Sequence, residues 1–323
     1  MATYKGINGT AVQNYAGDLP GAVEGQVWYN STAATFKINT GAVVTAWATA
    51  NNMNSGRRGL GSAGTQTAAL AFGGMGSPAI LGVTEAYNGT NWTEVNDFNT
   101  AKRYLAGCGT QTSALGFGGY YTGVISALTE SWNGTNWTEV ADLNTSRYNL
   151  GSAGASNTNA LAFGGQSPTL RAQTEKWNGS SWTEVNDLNT ARHNLAGAGT
   201  NTAALAVGGE APPGYSGASE TWNGSNWSEG NDLNTARYKL GAAGITTAAL
   251  AFGGQGSGSP ATGATEQYNG TNWTEVNDLN IARYGLGQAG TVTAALAFGG
   301  TPPNQAATEE YGLTGGNKTI QTS

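Results

Sequence analysis

Along residues 53–311 the apolar positions fall into short runs that recur in the same order six times. In one copy, residues 143–188, the runs are Leu150-Gly-Ser-Ala-Gly154, Ala160-Leu-Ala-Phe163, Thr174-Glu-Lys-Trp177 and Trp182-Thr-Glu-Val185, each bounded by Gly, Asn, Ser or Thr. Short apolar runs between turn residues predict strands rather than helices, so each copy reads as four strands, a to d. The link from c to d is Asn178-Gly179. That pair is a strong hairpin signal because both residues tolerate positive φ. Strand a is built from Gly, Ala and Ser after one Leu, as in Leu60-Gly-Ser-Ala-Gly64 and Leu240-Gly-Ala-Ala-Gly244. Such small side chains suit a crowded centre where strands converge. Strand b, Ala-Leu-Ala-Phe, supplies packing between neighbours, and its terminal Gly-Gly lets the backbone approach closely or bulge.

The second glycines of these pairs are Gly74, Gly119, Gly165, Gly209, Gly254 and Gly300, spaced by 45, 46, 44, 45 and 46 residues. A regular period in this window marks a propeller-type array in which each repeat is one small sheet. The expected fold is therefore all-β: a six-bladed propeller over residues 42–323, preceded by a docking segment with a β-hairpin over residues 1–41. The sixth copy ends at Tyr311 without its Trp strand, while Trp47 precedes Met53 by the same offset as Trp92 precedes Phe98. Residues 42–50 are expected to supply the missing strand d and close the ring, with Asn317-Lys-Thr-Ile320 as the competing candidate.

The order Arg147, Phe163-Gly164-Gly165, Trp177 and Trp182, repeated as Arg237, Phe252-Gly253-Gly254, Tyr268 and Trp273, resembles the kelch repeat. The resemblance covers most of the chain and implies a kelch-like propeller. Lys102 replaces the Arg in one copy and Val207 the Phe in another. An Asp-box-like propeller is the alternative, since Asn-Gly-Thr-Asn-Trp also ends in a Trp hairpin, but it explains the Gly-Gly less well.

Composition narrows the function. Of 323 residues 51 are Gly and 11% are charged, with ten Trp and thirteen Tyr, which fits closely packed strands rather than a disordered chain. A net charge of −6 with acids scattered singly offers no basic stripe, so nucleic acid is not an expected partner. No run of 18 apolar residues and no basic, hydrophobic start (Met1-Ala2-Thr3-Tyr4-Lys5-Gly6) appear, implying a soluble protein without membrane insertion or a signal peptide. Cys108 is the single cysteine and fills a strand position held elsewhere by Ala, so neither a disulfide nor a cofactor is expected. The single histidine, His193, gives no metal site and no assignable triad, and the kelch-type copper oxidases need a Tyr–Cys crosslink and His ligands, for which one Cys and one His do not suffice. Repeated sequons serve turns.

Glutamates recur as Glu85, Glu130, Glu175, Glu220, Glu266 and Glu309, and again as Glu94, Glu139, Glu184, Glu229 and Glu275. Equivalent copies imply a structural role, accepting backbone hydrogen bonds or pairing with the recurring Arg between blades, rather than the two unlike carboxylates of a glycosidase. The chain is expected not to be an enzyme. The b–c loops are where the copies differ, and recognition usually lives on variable loops of a rigid array. Tyr120, Tyr121, Arg171 and Tyr215 are the contact candidates there. The residues after each opening cation (Arg58, Arg103, Tyr148, His193, Tyr238 and Tyr284) are a second set, able either to ring a channel mouth suited to a sugar or simply to pack.

Finally, the stretch holding Gly25-Gln-Val-Trp-Tyr-Asn30 and Thr35-Phe-Lys-Ile38 reads as a loop and then a hairpin, Val27–Tyr29 with Thr35–Ile38. The stretch resembles attachment segments of bacteriophage tail-fibre and other virion proteins, notably marine ones. That resemblance implies a virion structural protein on a tail fibre, tail tip or capsid surface, held through residues 1–41 to other virion proteins, oligomeric in the particle, and adhering by its loop face to a host surface glycan, a receptor or a neighbouring virion protein. The alternatives are an intracellular interaction scaffold and a glycan-degrading enzyme.

Overall fold

The computed structural model describes residues 13–17, 19–22, 26–39, 44–256, 258, 260–314 and 317–319, and all their regular structure is β-strand. Residues 1–6, Glu24-Gly25, residues 42–43, Ser257, Ser259 and Ile320, to which expectations attach, lie outside the described residues. The chain divides into two units, Met1–Ala46 with Leu313–Ser323, and Trp47–Gly312.

In the first unit the hairpin Val27–Asn30 with Thr35–Asn39 carries Gln13–Tyr15 in parallel on one side and Asn317–Thr319 antiparallel on the other. The tail strand thus joins this unit rather than the repeats. Trp28 is fully buried, and Tyr29 meets Phe36 edge to face at 5.2 Å.

The repeats form small antiparallel sheets of four strands, a propeller-like arrangement. In the first repeat the strands are Gly61–Thr65, Ala68–Phe72, Thr84–Tyr87 and Trp92–Val95, paired in that order. The sixth sheet is built from Gly287–Thr291, Ala294–Phe298, Thr308–Thr314 and, from the other end of the sequence, Val44–Ala50. Strand a of each sheet packs beside strand a of the next, and that of the sixth beside that of the first. The apolar run of strand b is buried and, with the Trp of strand d from the neighbouring sheet, fills the gap between sheets: Phe72 lies 4.7 Å from Trp137, and Phe252 lies 4.9 Å from Trp47.

The Gly-Gly pairs have a defined cause. Both glycines take positive φ in all six copies, and the second donates its N–H to the carbonyl of the next repeat's opening cation, as Gly165 does to Arg192 and Gly300 to Arg57. A Cβ on Gly164 would meet the Arg192 oxygen at 2.7 Å, so a side chain is excluded twice over. The c–d link differs from the expected two-residue turn. Only its Gly has positive φ, and the Asn holds the loop instead, Asn88 Oδ1 accepting from the N–H groups of Thr90 and Asn91.

In five of the six repeats the opening Arg and the first glutamate form a buried lock. Arg57–Glu85, Arg147–Glu175, Arg192–Glu220, Arg237–Glu266 and Arg283–Glu309 pair at 2.6–3.2 Å with both side chains inaccessible. Each pair joins two elements of one repeat, not two sheets. The same carboxylate accepts from the Asn of the incoming d–a linker, as Glu175 does from Asn144 N–H and Nδ2. Between sheets the tie is the indole: Trp137 Nε1 donates to Thr84, Trp182 to Thr129, Trp227 to Thr174, Trp273 to Ser219, Trp47 to Thr265 and Trp92 to Thr308, all at 3.0–3.2 Å.

Candidate functional site

Two residues after each lock cation the chain turns through the left-handed region. Gly59, Tyr104, Asn149, Asn194, Lys239 and Gly285 all have φ between +55° and +64°. Each donates its N–H to the carbonyl of its counterpart in the preceding repeat, and Gly59 donates to Gly285, at 2.6–2.9 Å. The six residues therefore make one cyclic run of backbone hydrogen bonds. Together with Arg58, Tyr284 and the leucines below (Leu60, Leu105, Leu150, Leu195, Leu240 and Leu286) they line a pocket of about 210 Å³ at one end of the channel between the a strands.

The leucine is the same six times, but the rim changes. Gly and Asn suit a left-handed backbone; Tyr and Lys carry a Cβ that disfavours it by roughly 1–2 kcal/mol. Tyr104 and Lys239 hold that conformation nonetheless. Backbone outliers of this kind cluster where side-chain direction serves a ligand.

The rim is also cationic and aromatic. Lys239 Nζ lies over the rings of Tyr238 and Tyr284 at 5.0 and 5.5 Å. Burial, opposed by Tyr104 and Glu210 and reinforced by Arg58, holds its ammonium below the usual lysine range. Arg58 donates one N–H to Asn304 Oδ1. Arg103 lies over Tyr104 and Tyr120 at 5.0 and 5.5 Å, and its Nε is sealed without a partner. Apart from the lock cations, the described Lys and Arg of the repeats are Arg58, Arg103, Arg171, Lys176 and Lys239. Three of those five belong to this mouth and its margin, in a chain of net charge −6.

Tyr120, Tyr121, Arg171, His193 and Tyr215 are half-buried, and none of them lines the pocket itself. Tyr120 packs 5.7 Å from Tyr148, and Tyr215 stacks on Tyr238 at 4.6 Å with planes 5° apart. Burial first, then Tyr215, pushes the Tyr238 phenol up to about 12. Tyr121 pairs with Val124 in a two-residue hairpin. Arg171 is turned back on its own loop, donating from Nε and Nη2 to the Ser167 carbonyl. His193 places Nε2 3.4 Å from Glu210 Oε2, while its Nδ1 is sealed without a partner. Burial outweighs Glu210 there and lowers the imidazole pKa. Of the second candidate set, Arg58 and Tyr284 line the pocket itself. Tyr104, Asn149, Asn194 and Lys239 were not singled out from sequence. Their signal was one position further on: a varied residue directly before an invariant Leu.

Among the described residues no group of His, Cys, Asp and Glu is arranged to hold a metal ion, and no helix is long and apolar enough to cross a membrane. Cys108 is buried beside Gly154, whose Cβ would meet its sulfur at 2.7 Å, and burial pushes its thiol up to about 12. Compared with protein-family models and with curated proteins, the chain matches none.

Proposed function

We propose that the repeats are a closed, six-bladed, kelch-like propeller serving as a binding module, with the channel mouth as its recognition site for an acidic sugar of a surface glycan. The observation that carries this reading is the rim: six equivalent positions hold Gly59, Tyr104, Asn149, Asn194, Lys239 and Gly285, two of them strained, above a leucine ring that never changes. Arg58 and Lys239 supply charge for a carboxylate or sulfate, Tyr104 and Tyr284 supply faces for a pyranose, and Asn149 and Asn194 supply amides for hydroxyls. The cyclic backbone and indole hydrogen bonds support closure.

In the same proposal the chain is a bacteriophage virion component, attached through residues 1–41, in which many copies offset weak affinity at each mouth. The hairpin Val27–Asn30 with Thr35–Asn39, bearing the buried Trp28, is what supports the attachment reading. An array of acidic and neutral glycans probed with the labelled protein tests the site. Acidic glycans should be retained and lost in Lys239→Gly, whereas equal binding by that variant overturns the mouth. Gold labelling of purified particles with an antibody to the repeats tests the setting, and unlabelled particles refute it.

A further inference from the structure

The six repeats serve as internal controls for one another, and one gap between sheets combines three departures, each of which recurs elsewhere but never all together. At the end of strand d the copies read Val95, Val140, Val185, Gly230, Val276 and Ala50. Val95, Val140, Val185 and Val276 pack against the apolar clusters of their gaps, whereas the cluster between the fourth and fifth sheets and that between the sixth and first have no residue from this position. Strand d of the fourth sheet, Trp227–Glu229, accordingly stops one residue short of its counterparts.

The second position lies in the a–b loop of the following sheet. Gln66 and Gln111 reach back across their gaps, each donating Nε2 to two carbonyls of the preceding sheet, and Asn157 donates Nδ2 to the Ser131 hydroxyl and the Trp132 carbonyl. At this position the fifth sheet has Thr246 and the sixth has Val292, neither of which makes such a bridge. The third is the aromatic of strand c. Trp132, Trp177 and Trp222 donate their indole N–H to a loop carbonyl, and Tyr87 donates to Glu310. In the fifth and sixth sheets the residues are Tyr268 and Tyr311, with Thr221 and Gln267 at the position where Tyr87 finds Glu310, and neither hydroxyl meets a hydrogen-bond partner among the described residues.

These three changes coincide in a cleft of about 560 Å³ on the end of the array opposite the mouth. Small-molecule sites occupy roughly 300–1,000 Å³. Its floor is Tyr268 and Trp222, and its walls are hydroxyls and amides, notably Thr221, Asn223, Thr247 and Thr271, with Glu229 the one charged side chain in its lining. Neutral donors and acceptors over an aromatic floor, with no cation, suit a neutral saccharide rather than an anion.

We propose that this cleft is a neutral-saccharide site, with the Tyr268 hydroxyl as its central hydrogen-bonding group. It stands apart from the mouth and does not rest on that reading. The repeats also provide the test, because Gly230→Val and Thr246→Gln restore residues that other copies carry. Gly230 has no left-handed φ, and a Cβ there meets only the Tyr268 hydroxyl, at 3.3 Å, and the Ser219 oxygen, at 3.8 Å. Maltose, lactose and chitobiose would be titrated by saturation-transfer NMR into the full chain. At least one should bind, and each restored variant should weaken it by about tenfold or more through filling the cleft, with thermal stability kept or raised. Lys239→Gly should leave that binding unchanged. Absence of binding by all three sugars, or undiminished binding in Gly230→Val and Thr246→Gln, overturns the proposal.

Discussion

Arg147 and Asn149 stand two residues apart in the third repeat, yet they follow opposite rules. Arg147 is fully buried, bound to Glu175, and has a chemical equivalent in every repeat, with Lys102 the one change of residue. Asn149 sits on the mouth rim, where equivalent positions hold Gly, Tyr, Asn or Lys. A buried charge demands its partner, because removing one member leaves the other unpaired in a dry interior. The rim position satisfies its backbone through neighbouring rim residues whatever its side chain is. This scaffold therefore permits variation wherever main chain, rather than side chain, closes the structure.

The largest effect should come from breaking the lock. Glu175→Gln leaves Arg147 without its counter-charge and should cost about 3–5 kcal/mol, read as a lower urea midpoint. Next, Gly164→Ala must seat a Cβ against the Arg192 carbonyl at φ +65° and should cost about 2–3 kcal/mol in the same assay.

The second repeat allows the lock to be strengthened. Lys102 makes no ion pair with Glu130 and donates instead to the Leu128 carbonyl at 2.8 Å. Burial lowers its pKa from 10.5 to about 8, with Glu130 opposing. Below about pH 8 both folded and unfolded chains carry the proton, so the burial cost is fully present. Between about 8 and 10.5 only the unfolded chain holds it, and stability rises with pH. Lys102→Arg should therefore raise stability by roughly 1–3 kcal/mol at pH 7, an advantage that shrinks toward pH 10, as paired melting curves would show. A gap that is constant with pH would assign the gain to packing alone.

The smallest change in stability belongs to the rim. Tyr104→Gly or Lys239→Gly relieves a left-handed backbone and should change stability by only about 0.5–1 kcal/mol, in either direction, as unfolded-chain entropy opposes the relief. Glycan retention should nevertheless fall. A rim variant that unfolds the protein would erase the distinction between the two layers.

Much of the scaffold is legible in the residues themselves. The period, the four strands, the small residues of strand a and the Gly-Gly pairs are local and repeat six times, so each copy reinforces the reading of the others. The Arg and Glu are legible as structural, but not their geometry: Arg147 and Glu175 lie 28 residues apart, and only the folded sheet shows that they close within one repeat. The b–c loops read as the variable face, yet Arg171 is spent on its own loop and Tyr215 on Tyr238. No site candidate read from the sequence lies on the a–b and c–d loops, though the cleft beside Tyr268 opens there.

What is local in sequence follows from the residues of one repeat: strand order, turn positions and which side chains recur too regularly to be specific. Events between repeats follow from packing instead. Packing brings Tyr104 and Lys239 to one mouth and Gly230, Thr246 and Tyr268 to one gap, and pairing across the first unit places the tail strand Asn317–Thr319 on Thr35–Asn39. The division is one of range. Propensity and turn chemistry act over a few residues, whereas a pocket is made of side chains from different periods, and their meeting is fixed only when the sheets pack.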